Sequence, residues 1–419
     1  MINAQTLTDR FLRYVQIDTQ SDPQSTASPT TEKQKDLGRV LVQELHELGI
    51  ADAELDAFGY VYATIPANVP SDVPDHQLPT ICFCAHMDTS PDVTGAGVKP
   101  IIHRQWDGAD IVLPEHADAP IVISQQDHPD LAQQIGNDII TASGDTLLGA
   151  DNKAGVAAIM AAADYLMANP DVPHGRIRIL FTPDEEVGKG TANIDMAKLD
   201  ATYGYTIDGE SLGTLEDETF SADGVQIVIQ GVSTHPGFAK GKLENALKIA
   251  GDILAGLPRT DLSPETTEGM QGFVHPTHME GNQDRVVLHF IVRDFTTAGL
   301  HEHEALLQSL VDEVLANYPH SSATLTVREQ YRNMKEVLDQ HPAVAEHALE
   351  AIRRAGLSPQ RRSIRGGTDG SRLSFMGLPC PNIFAGEHAF HSREEWVSVQ
   401  DMQKAAEVIV HLAQIWAGK

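Results

Sequence analysis

Three short apolar runs, each followed at once by charged residues, place the strongest constraint on the fold of this chain. They cover residues 81–85, 177–182 and 203–207. A run that is apolar on both faces is typical of a strand in the middle of a parallel sheet that helices cover on both sides. Stretches with helical spacing of apolar residues lie between and around these runs. The sequence therefore predicts an α/β fold with a mixed, mainly parallel sheet and helices on both of its faces.

Asp151 lies at a predicted strand-to-helix junction. Residues 138–144 have the pattern of a strand and a turn, and an alanine-rich helical run follows at 156–167. In sheets of this class, ligands bind in the crevice beyond the carboxyl ends of the strands. The sequence thus places the Asp151 carboxylate at the rim of the sheet, where a binding site is expected.

Imidazole and carboxylate side chains follow the three apolar runs at the same kind of position. His86 and Asp88 follow the first run, Glu185 and Glu186 the second, and Asp208 the third. Acidic residues after strands are ordinary turn residues, so one such cluster alone would be weak evidence. Together with Asp151 they predict a metal site, because zinc and similar metals take His nitrogen and carboxylate oxygen. Two metals about 3.5–4 Å apart need a bridging group, and the two oxygens of Asp151 can supply it.

The spacing within two of these clusters suggests separate roles. Residues two apart on an extended chain lie on one face, so Asp88 can accept a hydrogen bond from the ring of a metal-bound His86. A strand-end turn capped by Asp88 is the alternative. Glu185 and Glu186 point in different directions, so one can bind metal while the other acts as general base on a nearby water. A charged, solvated turn is the alternative for this pair.

The length and a change of pattern predict two domains. A chain of 419 residues is too long for one ordinary core. Between residues 219 and 328 the predicted order is βαββαβ, which fits a split-βαβ unit with an antiparallel sheet and both helices on one side. We predict a catalytic α/β domain in two pieces, 1–218 and 329–419, interrupted by a smaller α+β domain at 219–328.

The charge and the cysteine content indicate which binding partners and which cellular compartment to expect. The chain has 59 Asp and Glu against 30 Lys and Arg, a net charge of −29, which argues against nucleic acid and anionic membranes as partners. No apolar stretch approaches the roughly 20 residues that cross a bilayer. The three cysteines suggest no disulfide framework, and no signal peptide is visible, so we expect a cytoplasmic protein. The sequence leaves a monomer and a homodimer both open.

The motifs occur in an order that matches a known family. They include His86-Met87-Asp88-Thr89, residues 149–155, Pro183-Asp184-Glu185-Glu186-Val187-Gly188, Asp208, and further segments at 232–241, 284–295, 331–334 and 364–382. Taken together, they resemble the dizinc M20 metallopeptidases, and within that family most closely the tripeptide aminopeptidases. The resemblance covers almost the whole chain and implies a zinc-exopeptidase-like fold for the larger domain.

The resemblance implies two Zn²⁺ ions per chain, with Co²⁺ or Mn²⁺ as possible substitutes. It gives the first zinc the ligands His86, Asp151 and Asp208, and the second zinc Asp151, Glu186 and His391. Glu185 becomes the general base, and Asp88 the carboxylate behind the metal-bound histidine. His391 rests on the resemblance alone, and the residues after it, Ser392-Arg393, depart from the usual Gly-Lys. A cis peptide bond between Asp151 and Asn152 is also implied.

Four residues outside the metal cluster are implied to contact the substrate. His235 resembles the histidine that stabilises the tetrahedral oxyanion, with a loop-capping role as the alternative. Arg285, Asn333 and Arg365 are candidates for binding the C-terminal carboxylate of a peptide. A guanidinium pairs with a carboxylate through two parallel hydrogen bonds. Surface ion pairing is the alternative for these residues.

These features predict a metal-dependent aminopeptidase that releases the N-terminal residue from tripeptides with water activated by two zinc ions. Small peptides, chiefly tripeptides, are the predicted substrates. Another hydrolase of the same family, such as a carboxypeptidase, a dipeptidase or an N-acyl amino acid deacylase, is the first alternative, because the metal ligands cannot separate these reactions. A non-catalytic peptide-binding protein is the second, and the intact Glu185 and complete ligand set argue against it.

Overall fold

The computed structural model describes residues 2–69, 78–114 and 120–419. The chain divides into two compact units. The first comprises Met1–Asp217, Glu336–Arg362 and Thr368–Lys419, and the second comprises Glu218–Lys335 and Ser363–Gly367. The second unit runs past the predicted boundary at 328 because its last strand continues to Tyr331. It also takes in residues 363–367, which the sequence placed in the catalytic domain.

The secondary structure alternates between helices and short strands through most of the chain. The helices are α1 (Ala4–Val15), α2 (Gln34–Glu47), α3 (Ala150–Ala168), α4 (Met196–Leu199), α5 (Ala246–Ala255), α6 (Thr297–Leu315), α7 (Lys335–Leu338), α8 (Pro342–Arg354), α9 (Asp369–Phe375) and α10 (Val399–Trp416). The strands up to residue 209 are β1 (Glu54–Leu55), β2 (Val61–Ile65), β3 (Ile81–His86), β4 (Ile101–His103), β5 (Ile111–Leu113), β6 (Ile121–Ile123), β7 (Ile139–Thr141), β8 (Ile177–Thr182) and β9 (Tyr203–Gly209). The later strands are β10 (Thr214–Thr219), β11 (Ser221–Gln230), β12 (Phe273–Gly281), β13 (Arg285–Asp294), β14 (Ser322–Tyr331), β15 (Gln360–Ile364), β16 (Asn382–Phe384), β17 (Glu387–His388) and β18 (Trp396–Ser398).

Several helices begin at residues whose side chains bond their first free N–H groups. Asn3 accepts hydrogen bonds from Gln5 N and Thr6 N at the start of α1. Thr296 caps α6 and Ser398 caps α10 in the same way. Such caps replace bonds that the first helical turn cannot make internally, and each contributes about 1 kcal/mol.

The large sheet has the strand order β1-β2-β8-β3-β9-β16-β10-β15. Its centre is parallel, since β8, β3, β9 and β16 pair in parallel, whereas β2 joins β8 and β10 joins β16 in antiparallel fashion. The three apolar runs of the sequence are thus the central strands β3, β8 and β9. The predicted α/β fold with a mixed, mainly parallel sheet is confirmed.

Helices cover both faces of this sheet. Cys82 and Cys84 of β3 pack with Leu199 of α4 and Leu373 of α9, whereas α3 packs along β3 and β9. Every residue of β3 is buried as a result. The cysteines are free and buried, in agreement with a sequence that suggests no disulfide framework.

A second, four-stranded sheet supports the site described below. Its order is β17-β18-β7-β4. The short β7 leads towards α3, and β18 pairs with both β7 and β17. This pairing ties the residues before α3 to the segment around residue 390.

The second unit is an antiparallel sheet covered by two helices. The strand order is β12-β13-β11-β14, and the order along the chain is the expected βαββαβ. Alternate residues of β11, among them Val225, Ile227 and Ile229, pack against α5 and α6 in one core. Within the part of the chain that the structure describes, no helix combines the length and hydropathy that a membrane span requires.

Candidate metal centre

His86, the last residue of β3, points its imidazole at two carboxylates. Its Nε2 lies 2.8 Å from Asp151 Oδ1 and 3.4 Å from Asp208 Oδ1. On the other side of the ring, Nδ1 lies 3.1 Å from the backbone oxygen of Asp88 and 3.4 Å from its Oδ1. A proton on Nδ1 leaves the Nε2 lone pair facing the carboxylates, which is the tautomer that a metal ligand needs. The backbone oxygen of Asp88, rather than the predicted carboxylate, is the nearer acceptor.

The two oxygens of Asp151 face two different imidazoles. Oδ1 contacts His86, and Oδ2 lies 3.3 Å from His391 Nε2. This is the arrangement that a bridging carboxylate requires. The peptide bond between Asp151 and Asn152 is cis, as the resemblance implied. A Cβ at Gly155, one turn further along α3, would overlap with the carbonyl oxygen of Ile207, so glycine is what lets α3 lie this close to β9.

Glu395 holds the segment that carries Asp151, and the sequence analysis missed it. Its Oε2 accepts hydrogen bonds from Leu148 N and Gly149 N, both at 2.7 Å, and its Oε1 accepts one from Asp151 N at 3.0 Å. Glu395 is 1 % exposed. The N–H groups at the start of a helix have no acceptor within the helix. Glu395 provides acceptors at the start of α3, where the N-cap residue Gly149 makes no side-chain hydrogen bond.

His391 and Glu186 form the other half of the cluster. His391 Nε2 lies 2.8 Å from Glu186 Oε2. His391 and Ala389 both have positive φ, 61° and 52°, a conformation that L-residues adopt only where their surroundings enforce it. Ser392 supports the turn, because its hydroxyl donates to Ala389 O at 2.6 Å and accepts from Glu394 N at 3.1 Å. The departure from the family's usual Gly-Lys thus supplies a brace for the loop that presents His391.

Asp88 and Asp184 fix the turn that carries Glu185 and Glu186. The buried Asp88 carboxylate accepts from Glu185 N at 3.0 Å and from Glu186 N at 3.2 Å. Asp184, at φ 58°, accepts from Thr30 and Gln34, residues of the N-terminal segment. The Glu185 side chain is left half-buried, so it can meet water while its backbone is held.

Two further buried acids, Glu387 and Asp369, lie near these residues and were not predicted. Oxygens of Asp151, Asp208 and Glu387 lie within 4.8 Å of one another. Asp369 accepts a hydrogen bond from the Thr182 hydroxyl at 2.7 Å, at the end of β8. Both acids follow Gly-containing turns in the last third of the sequence, where no apolar run marked them as strand-end residues.

The pKa values of the clustered side chains are those expected of a cation-binding site. Burial lowers the pKa of His391, but Asp151 and Glu186 outweigh it and raise that pKa to about 11. Burial and the neighbouring Asp151 raise the pKa of Glu186 to about 8. Burial also raises the pKa of Glu185 well above its usual value. Burial opposes a fall in the pKa of Asp151, but hydrogen bonds from His391 and His86 lower it. In the metal-free protein, protons therefore occupy positions from which metal ions would displace them.

The residues fit two metal ions. Glu186 Oε1 and Asp208 Oδ1 are buried and have no hydrogen-bond partner within the described residues, which leaves two ligand oxygens facing the cluster. Ligands at about 2.0–2.1 Å from one tetrahedral zinc lie about 3.3 Å apart. The separations of 3.4 Å between His86 and Asp208 and 3.3 Å between His391 and Asp151 match this value. The separations of 2.8 Å between His86 and Asp151 and between His391 and Glu186 are shorter and are those of hydrogen bonds.

The predicted substrate residues lie in the second unit. His235 is exposed, and its Nδ1 accepts from Gly237 N at 3.1 Å. Arg285 begins β13 and is exposed, and no hydrogen bond or ion pair joins its guanidinium to another described residue.

The side chains of Asn333 and Arg365 form hydrogen bonds within the second unit. The Asn333 carboxamide accepts from Thr219 N and Lys335 N and donates to Phe295 O, all within 3.0 Å. Arg365 donates to Gly269 O and Gln271 O, both at 2.8 Å, and to Thr267 Oγ1 at 3.0 Å. Its guanidinium also lies over the rings of Phe220 and Phe273. These contacts use the Asn333 carboxamide and the two terminal nitrogens of the Arg365 guanidinium within the second unit. The binding of substrate by Asn333 and Arg365 stays a prediction.

Comparison with known proteins identifies the family. The profile of peptidase family M20/M25/M40 matches residues 147–415. The chain belongs to this family. It is 45 % identical over 415 residues to Peptidase T from Geobacillus thermodenitrificans, with 99 % of each chain covered. The predicted M20 peptidase, a hydrolase related to Peptidase T, is therefore confirmed.

Solved structures of this family share the fold. An aminopeptidase PepT from Bacillus cereus has a TM-score of 0.74 at 24 % identity, and the alignment covers 99 % of both chains. A tripeptidase from Staphylococcus aureus has a TM-score of 0.77 at 24 % identity and covers 100 % of both. At this identity the likeness shows that the fold is shared.

Proposed function

We propose that this M20 peptidase releases the N-terminal residue from tripeptides and uses two zinc ions, with Co²⁺ or Mn²⁺ as substitutes. One observation carries the proposal. The oxygens of Asp151 lie between His86 and His391, and Glu185 projects half-buried from the adjoining turn. The relatives named Peptidase T, aminopeptidase PepT and tripeptidase support the choice of reaction and substrate.

The proposed ligands are His86, Asp151 and Asp208 for one ion, and Asp151, Glu186 and His391 for the other. Three carboxylates and two imidazoles offset most of the charge of two divalent ions. The mixture of nitrogen and oxygen donors suits zinc and its neighbours in the first transition series. When bound, the ions would polarise the scissile carbonyl and lower the pKa of a water molecule at the cluster.

Glu185 is the proposed general base. Its backbone N–H is held by Asp88 at 3.0 Å, so the carboxylate keeps its place relative to the cluster. It accepts a proton from the attacking water and transfers it to the nitrogen of the departing amine. Asp88 accepts hydrogen bonds from the backbone N–H groups of both Glu185 and Glu186. One carboxylate therefore positions both the proposed base and the proposed metal ligand.

The proposed contacts with substrate come from residues of the second unit. Arg285 is the proposed partner of the peptide's C-terminal carboxylate, because its guanidinium is exposed and without another described partner. Binding that carboxylate would select peptides by length. His235 keeps its predicted role in stabilising the oxyanion. We place the enzyme in the cytoplasm, which the three free, buried cysteines favour.

Peptide assays test the function directly. Protein loaded with Zn²⁺ is incubated with di-, tri- and tetrapeptides of one residue type, and the free N-terminal residue is quantified. The expected result is release from tripeptides with kcat/KM at least about tenfold above the other lengths, a difference of about 1.4 kcal/mol. Release of the C-terminal residue, or faster hydrolysis of N-acyl amino acids, would reject the proposal in favour of another M20 reaction.

A further inference from the structure

Glu387 is a buried carboxylate beside the proposed metal ligands to which the proposed mechanism gives no role. It lies on β17 and is 2 % exposed. One of its oxygens lies within 4.8 Å of carboxylate oxygens of both Asp151 and Asp208. Its Oε2 has no hydrogen-bond partner among the residues that the structure describes.

The strand that carries Glu387 directs it towards the cluster. In the antiparallel pairing of β17 with β18, Glu387 lies opposite Val397 and His388 opposite Trp396. Successive side chains leave opposite faces of a strand. His388 stacks on the ring of Trp396 with the ring centroids 4.0 Å apart. This packing fixes the face from which Glu387 projects and holds its carboxylate on the side of Asp151 and Asp208.

A buried carboxylate in this position lacks a partner that the protein itself could provide. No ion pair or hydrogen bond joins Glu387 to a basic side chain in the described parts of the chain. Burying a polar oxygen without a hydrogen bond costs about 1–3 kcal/mol, and burying an unpaired charge costs more. Three carboxylates converge here, so a cation between them is the partner that removes this cost.

We propose that Glu387 is a further ligand of the ion that His86, Asp151 and Asp208 bind. The proposal rests on the two-metal function above. That ion then has one imidazole and three carboxylates, whereas the ion at Glu186 and His391 has three protein ligands. Four protein ligands close a tetrahedral zinc site, and three leave a position open for water or substrate. The two ions therefore differ: the one beside Glu387 is held more tightly, and the one beside His391 exchanges more readily.

Metal titration tests this inference without a measurement of activity. Metal-free protein is titrated with Zn²⁺ in competition with a chromophoric chelator, and the wild type is expected to bind two ions with two distinct affinities. In Glu387→Gln, which keeps the size of the side chain, the tighter dissociation constant should rise at least about tenfold. Two unchanged affinities in this variant would overturn the proposal.

Glu216→Gln is the matched control. The Glu216 carboxylate is half-buried, accepts a hydrogen bond from Asn382 at 2.7 Å and is not among the groups that converge as metal ligands. Both affinities should equal those of the wild type. If Glu216→Gln weakened zinc binding as much as Glu387→Gln, a general effect of buried carboxylates would replace the proposal.

Cobalt provides a second readout. Loss of a ligand changes the visible absorption of Co²⁺, so the spectrum of the first equivalent should differ between wild type and Glu387→Gln, and identical spectra would contradict the proposal. If Glu387→Gln does not fold, Glu387→Asp, whose carboxylate is withdrawn by one methylene, should show the same weakening. Wild-type protein that binds two ions but cleaves no tripeptide would reject the proposed function, and the titrations would still decide the role of Glu387.

Discussion

The carboxylate of Glu395 accepts a hydrogen bond from the backbone N–H of Asp151 at 3.0 Å, although 244 residues separate them in sequence. With the bonds to Leu148 N and Gly149 N, one side chain satisfies three N–H groups at the start of α3. The proposed bridging ligand is therefore positioned by its backbone as well as by its side chain.

Glu395→Gln should loosen this arrangement. The carboxamide offers one acceptor oxygen where the carboxylate offers two, so at least one buried N–H loses its partner. We expect a loss of about 1–3 kcal/mol in the free energy of unfolding and zinc affinity about 10- to 100-fold weaker. Chemical denaturation and chelator competition measure the two effects. Unchanged stability and unchanged zinc affinity would show that Glu395 does not position Asp151.

Glu185→Gln should separate metal binding from catalysis. The variant removes the proposed base, whereas the ligand Glu186 and the Asp88 bonds to the backbone remain. We expect kcat to fall about 10²- to 10⁴-fold while two zinc ions per chain are retained, as measured by steady-state kinetics and elemental analysis. Glu186→Gln is the comparison, because it should lose zinc. Near-normal kcat in Glu185→Gln would assign the base to another residue.

Zinc binding should release protons near neutral pH. In the metal-free protein the pKa of His391 is raised to about 11 and that of Glu186 to about 8. Both groups hold a proton at pH 7, and a metal ion displaces both. Apparent zinc affinity should therefore rise with pH, and more steeply below pH 8 than above it. His86 adds to this dependence, because burial lowers its pKa but Asp208 outweighs burial and raises that pKa well above its usual value.

Calorimetry in buffers of different ionisation enthalpy counts these protons. At pH 7, the observed binding enthalpy should depend on the buffer with a slope of at least two protons released. His391→Ala should release one fewer. A binding enthalpy that is independent of the buffer would contradict the assignment of these two residues as ligands.

Arg285 and Arg365 should behave differently although both are arginines of the second unit. Arg285→Ala removes an exposed guanidinium, so we expect KM for tripeptides to rise about tenfold or more with little change in stability. Arg365→Ala removes the bonds to Gly269 O, Gln271 O and Thr267 Oγ1. It should lower the free energy of unfolding by about 1–3 kcal/mol. The reverse pattern would return Arg365 to the substrate site.

Gly155→Ala should separate α3 from β9. The added methyl group would overlap with the carbonyl oxygen of Ile207, and backbone cannot move aside as a flexible side chain can. We expect a loss of about 3 kcal/mol in the free energy of unfolding and weaker zinc binding, since α3 begins at the Asp151 segment. Gly251→Ala on α5 is the control, because its methyl group would meet nothing within 4 Å. That change should stabilise by about 0.5–1 kcal/mol.

The sequence predicts the strand-end ligands because local pattern determines them. An apolar strand such as β3 or β8 marks where a buried run ends, and the residues just after it, His86 or Glu186, must lie at the edge of the sheet. His391 follows no such strand and is reached only through resemblance to the family. Glu395 and Glu387 act across contacts of more than 170 residues, and no local pattern encodes such distant contacts.

The sequence alone could not rank the candidate substrate residues, for a related reason. A side-chain type shows which hydrogen bonds are possible, but only the fold shows which are already made. Asn333 and Arg365 have polar groups that could bind a carboxylate. In the structure these groups form hydrogen bonds with backbone carbonyl and N–H groups of their own unit. Arg285 differs from Arg365 in its surroundings and not in its chemistry.

The pairing of β18 with β7 and β17 has a consequence for the order of events during synthesis. The loop with His391 and the carboxylate of Glu395 lie next to β18, in the part of the chain that this pairing joins to the Asp151 segment. His391 follows His86 by about 300 residues, and at about 5–20 residues per second the ribosome adds it roughly 15–60 s later. A nascent chain that carries the first histidine therefore lacks the second for most of its translation. Peptide-cleaving capacity in this M20 enzyme thus arises late in synthesis.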